Sequence, residues 1–336
     1  METSEGRRAH RVSAGSINLT IDAPGEGPWA QVVGRFVACL GPAGREPACG
    51  TITCGATVTL PDSPPDVVDQ VSGVSLWTNA GQPIVDSPSG RASFPSSTTV
   101  IIDNDPEYSP SHVGQLMIPH ALAWILASHD EWLLHAAAVI PPASTPGGNT
   151  AILITGPTGT GKSTSAVAAL NAGWLVLADD MVTVRPNTGG FEVRGILLPL
   201  SAPGELTGVA AHAPPLANDP RGRRVIGQPG SVPLDPRWWA IGAVAVVGHG
   251  DQASGAATPM SGSQAVQSLW PAMFGAMGGA RLRRWFPRAA GLSRLPSFRL
   301  DLGTDSDTRM TSTVDALAVI ATIVEAQFTN DQLSRR

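Results

Sequence analysis

Apolar and polar positions alternate in short runs across residues 14–104: SINLTI, WAQVVGRFVACL, TITCGATVTL, VSGVSLWT and STTVII, separated by clusters such as PDSPPD and GQPIVDSPSG. Runs of period two bounded by Gly, Pro, Asp and Ser predict strands, and their succession predicts an antiparallel, β-rich N-terminal region. From about residue 112 the period changes. Leu122, Ile125 and Leu126 stand at helical spacing in a segment whose first turn is set at Pro119. The strand-like WLLHAAAVI (132–140), the loop PPASTPGGNT and the apolar run AILIT (151–155) follow. KSTSAVAALNAG reads as a helix closed by Gly173, and WLVLA (174–178) as a buried strand continued by the alternating MVTVRP. Strand, helix and strand in this short span predict a βαβ unit and a parallel sheet. FEVRGILLPL (191–200), AIGAVAVVG (240–248) and SFRLDL (297–302) read as further strands. SQAVQSLWPAMFGAM (263–277) and STVDALAVIATIVEA (312–326) read as helices. The division expected is a β-rich region over 1–110 and an α/β domain over 111–336.

Composition narrows the classes. With 336 residues, 42% of them hydrophobic, the chain can bury a substantial core. Its net charge of -5 argues against a nucleic-acid partner, although Arg221–Arg224 and Arg281–Arg288 are local concentrations of positive charge. The longest apolar runs are too short to cross a membrane. METSEGRRAH is not followed by the apolar stretch of a signal peptide, so a cytoplasmic protein without a membrane partner is expected. Cys39, Cys49 and Cys54 lack the additional His or Cys spacing of a zinc site and read as ordinary thiols.

The candidate chemistry begins at GPTGTGKST, Gly156 to Thr164. It fits G-x-x-x-x-G-K-[ST], placed between an apolar strand and a capped helix. Glycines let backbone N–H groups close around phosphate, and the positive helix end adds to the attraction. Nucleotide contacts are expected from Gly156, Thr158, Gly159, Thr160, Gly161, Lys162, Ser163 and Thr164, with the Ser163 hydroxyl on Mg²⁺. Lys162 is the only lysine in the chain; every other basic residue among the 22 is arginine. A compact ammonium on a flexible stem fits a curled loop where a planar guanidinium does not. Asp179 and Asp180 end the next strand, where one carboxylate can hold metal while the other accepts a proton from an attacking hydroxyl. Neighbouring strand residues point to opposite sides, which predicts separate roles for the two.

His135 before the cradle, then GPTGTGKST, LADD and FEVRG resemble, in order and spacing, the C-terminal catalytic domain of HPr kinase/phosphorylase and related serine kinases. The resemblance is close over about 120–200 and looser to 328. It implies an α/β P-loop kinase domain of the HPr kinase / PEP carboxykinase type; it does not extend to the smaller β-rich domain that the pattern places before it, a candidate for substrate recognition where the family usually has an α/β module. It implies ATP as phosphate donor and Mg²⁺ as cofactor. Asp179 becomes the base for a serine hydroxyl, Asp180 and Glu192 metal-side carboxylates, Arg194 a phosphate organiser and His135 the active-site histidine. A lone His on an apolar strand is, by itself, better read as a satisfied core residue.

Thr164 replaces the acidic residue usual after the P-loop serine, and ILLPL follows Gly195 where the bacterial enzymes continue differently. The closer likeness is to the branch of lasso peptide kinases, which phosphorylate the C-terminal serine of a precursor. Arg221, Arg223 and Arg224 in NDPRGRRVIGQ are candidate anchors for such an acceptor or for the transferring phosphate, and a solvated loop is the competing reading. Other acceptors kept open are a small hydroxylated metabolite, free serine and HPr. A nucleotide-sensing regulatory ATPase is the alternative of another class. A homo-oligomer is compatible with the sequence.

Overall fold

The computed structural model describes residues 2–3, 6–69, 74–79, 82–87, 90–103, 110–196, 200–203, 223–226, 237–248, 255–273, 279–303 and 306–334. They divide into two compact units, Met1–Leu133 and Leu134–Arg336.

The first unit is a ten-stranded sheet with two helices. Its strands are β1 (Glu2–Thr3), β2 (Arg7–Ala14), β3 (Ile17–Pro24), β4 (Gly41–Pro42), β5 (Gly50–Ala56), β6 (Val67–Asp69), β7 (Val74–Asn79), β8 (Gln82–Ser87), β9 (Gly90–Ser96) and β10 (Thr99–Asp103). The spatial order is β1-β2-β3-β5-β10-β9-β8-β7-β6, with β4 beside β2. Register places Ile21 opposite Ile52 and Ile52 opposite Val100, and all three are buried. Burial of one such side chain stabilises by about 1.5–3 kcal/mol. Against expectation the sheet is not antiparallel throughout, because β5 runs parallel to both β3 and β10. The cause lies in WAQVVGRFVACL, which is helical within α1 (Gly27–Cys39). Trp29 and Val33 are buried one turn apart, Leu40 is buried just past the helix end, and Pro28 fits the first turn, where its missing N–H leaves no bond unmade. This helix connects β3 to β5, and a parallel neighbouring pair requires such a crossover.

Helix α2 (Pro110–Ser128) starts earlier than the sequence suggests and carries Pro119 in its interior. Ile118, Ala121, Leu122 and Ile125 are buried on it, and Trp124 stacks obliquely on Phe94 of β9 while its Nε1 donates to Ser96 O at 2.7 Å.

The second unit contains β12 (Ala137–Ile140), β13 (Ala151–Thr155), α3 (Lys162–Asn171), β14 (Leu175–Ala178), β15 (Met181–Asn187), β16 (Gly190–Gly195), β17 (Leu200–Pro203), β18 (Arg223–Ile226), β19 (Trp239–Gly248), β20 (Ala256–Pro259), α4 (Gly262–Leu269), α5 (Gly279–Leu292), β21 (Ser297–Asp301) and α6 (Ser306–Ser334). The unit boundary falls inside β11 (Trp132–His135). Strand order is β11-β15-β16-β19-β13-β12-β14, with β21 also beside β19 and β20 beside β21. The expected parallel sheet is a mixed one. β13, β19 and β21 run parallel, whereas β12 is antiparallel to both β13 and β14 and so separates the two strands that α3 connects. Helices α3 and α6 cover one face. Ile152, Ile154, Val247 and Leu300 from the strands meet Val167, Leu317 and Ile320 from the helices. The segment read as one helix over 263–277 is α4 followed by a 3₁₀ turn at Trp270–Ala272, and 274–278 lie outside the described residues. Ser261 and Gln264 form a capping box at the start of α4.

Burial lowers the His120 pKa in α2 from 6.5 to about 4. The unfolded chain therefore binds a proton between those values that the folded chain refuses, and stability falls with acidification through that window. Moving from pH 7.5 to pH 5 should cost up to about 2 kcal/mol at this site. Urea denaturation at the two pH values should show the loss in the native chain and a smaller one in His120→Leu.

Candidate functional site

β13 is buried along its whole length, and the chain then turns through Gly156–Gly161 into α3. Gly156 has φ 147° and Gly161 φ 108°, both in the region that glycine tolerates and side chains avoid. Close packing adds a second reason. A Cβ on Gly156 would stand 2.8 Å from Val247 O, and one on Gly161 would run into Leu302 Cδ1. Thr160 stabilises the turn by donating to Pro157 O through Oγ1 at 2.8 Å. Pro157, Thr158 and Gly159 are exposed on its outer side. The amides of the first turn of a helix have no intrahelical acceptor and carry its positive end, so the loop is shaped to receive an anion.

Lys162 is buried, 5% exposed, and its Nζ donates to Gly156 O at 2.8 Å and Pro157 O at 3.1 Å. The ammonium thereby ties the loop to itself. Ser163 is half-buried and Thr164 buried in the first turn of α3. Ser165 Oγ donates to Gly161 O at 3.0 Å.

β14 ends at Ala178, opposite Ala138 of β12, which brings Asp179 and Asp180 to the same sheet edge as the loop. Their surroundings differ as the sequence suggests. Asp179 is buried, whereas the Asp180 side chain is 57% exposed. His135 Nδ1 lies 3.1 Å from Asp180 Oδ1, and Ala136 N donates to Asp180 O at 3.1 Å. The structure thus joins His135 to the Asp pair, a link that the sequence alone left open.

Glu192 is not brought to this edge. On β16 it faces Arg185, whose Nε and Nη2 both reach its Oε2 at 3.0 Å. It pairs with Ala240 at the start of β19, while the loop follows Thr155 opposite Val246 near that strand's other end. Six residues of strand separate the two levels by about 20 Å. Glu192, expected on the metal side, is here in an ion pair with Arg185, whose guanidinium stacks on Trp238. Arg194 is nearer, opposite Thr183 and next to Gly195, whose α-carbon is packed on Leu177 O. Arg221 lies outside the described residues. Arg223 and Arg224 stand on β18, opposite Pro203 and Ala202 of β17, and β17 packs along α3.

Two residues at the edge carried no chemistry in the sequence reading. Asp301 ends β21 opposite Gly248, and Arg299 on the same strand donates from Nε to Asp301 Oδ1 at 2.8 Å. Only the adjacency of β21 and β19 could have singled them out.

Among the described residues no group of three or more His, Cys, Asp and Glu is arranged to hold a metal ion. Mg²⁺ is ordinarily held by one or two protein oxygens together with nucleotide phosphates and water, and the tight glycine turn beside Ser163 and Asp180 fits that mode. In comparison with known proteins, no family model matches the chain and no curated protein gives a significant match.

Gly161→Ala combines an unfavourable φ with a collision at Leu302. It should lower the melting temperature and abolish any stabilisation by ATP with Mg²⁺, read by thermal denaturation with and without nucleotide. Glu192→Gln should change stability by less than about 1 kcal/mol and leave the nucleotide-induced shift intact, which separates its ion pair from the cradle.

Proposed function

We propose that the chain is an ATP- and Mg²⁺-dependent kinase that transfers the γ-phosphate to a serine hydroxyl, with the C-terminal serine of a lasso-type ribosomal peptide as acceptor. The observation that carries the reading is the placement of the buried Asp179 carboxylate on the same sheet edge as the glycine turn closed by Lys162. The pairing of His135 with Asp180 beside it adds support, since a bare phosphate-binding loop requires neither.

In the proposed reaction Asp179 accepts the serine proton as the hydroxyl oxygen attacks the γ-phosphorus. The bond from that phosphorus to the β–γ bridging oxygen breaks, giving phosphoserine and ADP. The loop amides and Lys162 hold the phosphates in line, and fixed donors of this kind favour the charge spread of the transition state. Reaching the phosphates requires Lys162 Nζ to exchange at least one of its two loop carbonyls for a phosphate oxygen. Mg²⁺, held through Ser163 Oγ and Asp180, supplies neutralisation of the phosphate charge when bound. His135 orients Asp180 through their contact. The exposed Asp180 and buried Asp179 divide the metal-side and proton-accepting tasks between neighbours.

Labelled γ-phosphate transfer to serine-terminated peptides tests the reading. Lys162→Ala should lower turnover at least about a hundredfold, and Lys162→Arg should fail to rescue it because the planar fork does not fit between Gly156 O and Pro157 O. Asp179→Asn should retain ATP binding and lose about 10²–10⁴ in turnover. Phosphate release to water at the same rate with and without any acceptor would favour an ATPase instead.

A further inference from the structure

Arg299 pairs with Val246, and Val246 pairs with Thr155, the last residue of β13 before the cradle. The three occupy one row across parallel strands, so the α-carbons of Arg299 and Thr155 are about 10 Å apart and their side chains leave the same sheet face. The Arg299 side chain does not lie across that face. It turns along the strand toward the edge, where Asp301 accepts from its Nε at 2.8 Å.

A Cβ on Gly248 would be in ordinary van der Waals contact, 3.6 Å from both Nε and Nη2 of Arg299, so the guanidinium lies over the end of β19. β19 is the strand between β21 and β13, and its Val247 is the residue on which Gly156 packs. The guanidinium therefore occupies the strand end beside the cradle, with 54% of the side chain exposed. Lys162 points its ammonium at loop carbonyls. Arginine presents donors along several edges of a plane, so a carboxylate that fixes Nε orients the others.

We propose that Arg299, positioned by Asp301 over the end of β19, is a second cationic contact for the terminal phosphate of a nucleoside triphosphate in the cradle. The proposal rests on the kinase reading above and assigns the residue that distinguishes triphosphate from diphosphate. Charge-assisted hydrogen bonds to phosphate are among the stronger polar contacts, and the γ-phosphate is the group present in only one of the two nucleotides.

Displacement of a fluorescent nucleotide by ATP and by ADP, in Mg²⁺, tests this on the full chain. Lys162→Ala serves as the cradle control, and circular dichroism reports folding. The native chain should prefer ATP, and Arg299→Gln should reduce the ATP-over-ADP preference by about tenfold or more. Gly248→Val keeps the arginine but fills its path and should reduce the preference similarly. Asp301→Asn should give a smaller loss in the same ratio, which a purely structural role would leave unmoved. An unchanged ratio in folded Arg299→Gln, or an equal loss of ATP and ADP affinity, overturns the proposal while leaving the kinase reading standing. A native chain that binds neither nucleotide overturns both.

Discussion

The backbone after β13 lies against the end of β19 so closely that the carbonyl of Val247 occupies the space where a side chain of residue 156 would begin. From that contact the rest of the site takes its shape. Gly156 can take its positive φ there, the turn reaches Gly161 over Leu302, and α3 starts with its amide end at the sheet edge. Lys162 then returns to the carbonyls of Gly156 and Pro157, closing the loop from within. The carbonyls of Gly156 and Pro157, turned into the loop, are thereby supplied with a donor. The exclusion of side chains at two positions is thus a packing constraint before it is a ligand-binding one.

Around this loop the polar groups are sorted by burial. Asp179 is sequestered at the end of β14, and its neighbour is turned outward to His135. One chain direction produces both environments, because successive residues leave a strand end on opposite sides. Two chemically identical carboxylates acquire different surroundings with no other device. The Arg299–Asp301 pair, two strands away from β13, is built the other way: two residues apart on one strand, they leave on the same side and meet over Gly248.

The sequence was most readable where a single local pattern decided the outcome. AILIT, the glycine turn and KSTSAVAALNAG announced strand, loop and helix because apolar run, punctuation and helix formers agree. WAQVVGRFVACL carries β-branched valines that suit a strand, whereas in the fold it is a helix that buries Trp29 and Val33, one turn apart. Pro119 looked like a helix start, yet it sits inside α2, whose beginning at Pro110 is sustained by buried residues further along. The level at which Glu192 emerges was not legible, since it is fixed by register with Ala240. Arg299 had no signal at all, because its place depends on which strand lies beside β19.

The parallel pairing of β13 with β19 joins positions about 90 residues apart along the chain, Ala151 with Ile241, whereas β12 and β13 are near neighbours. Closing so long a connection is entropically costly and comes late compared with local pairing. The nine residues of GPTGTGKST are therefore synthesised well before the wall that shapes them, and a nascent chain that stops short of Val247 carries the whole motif without its cradle.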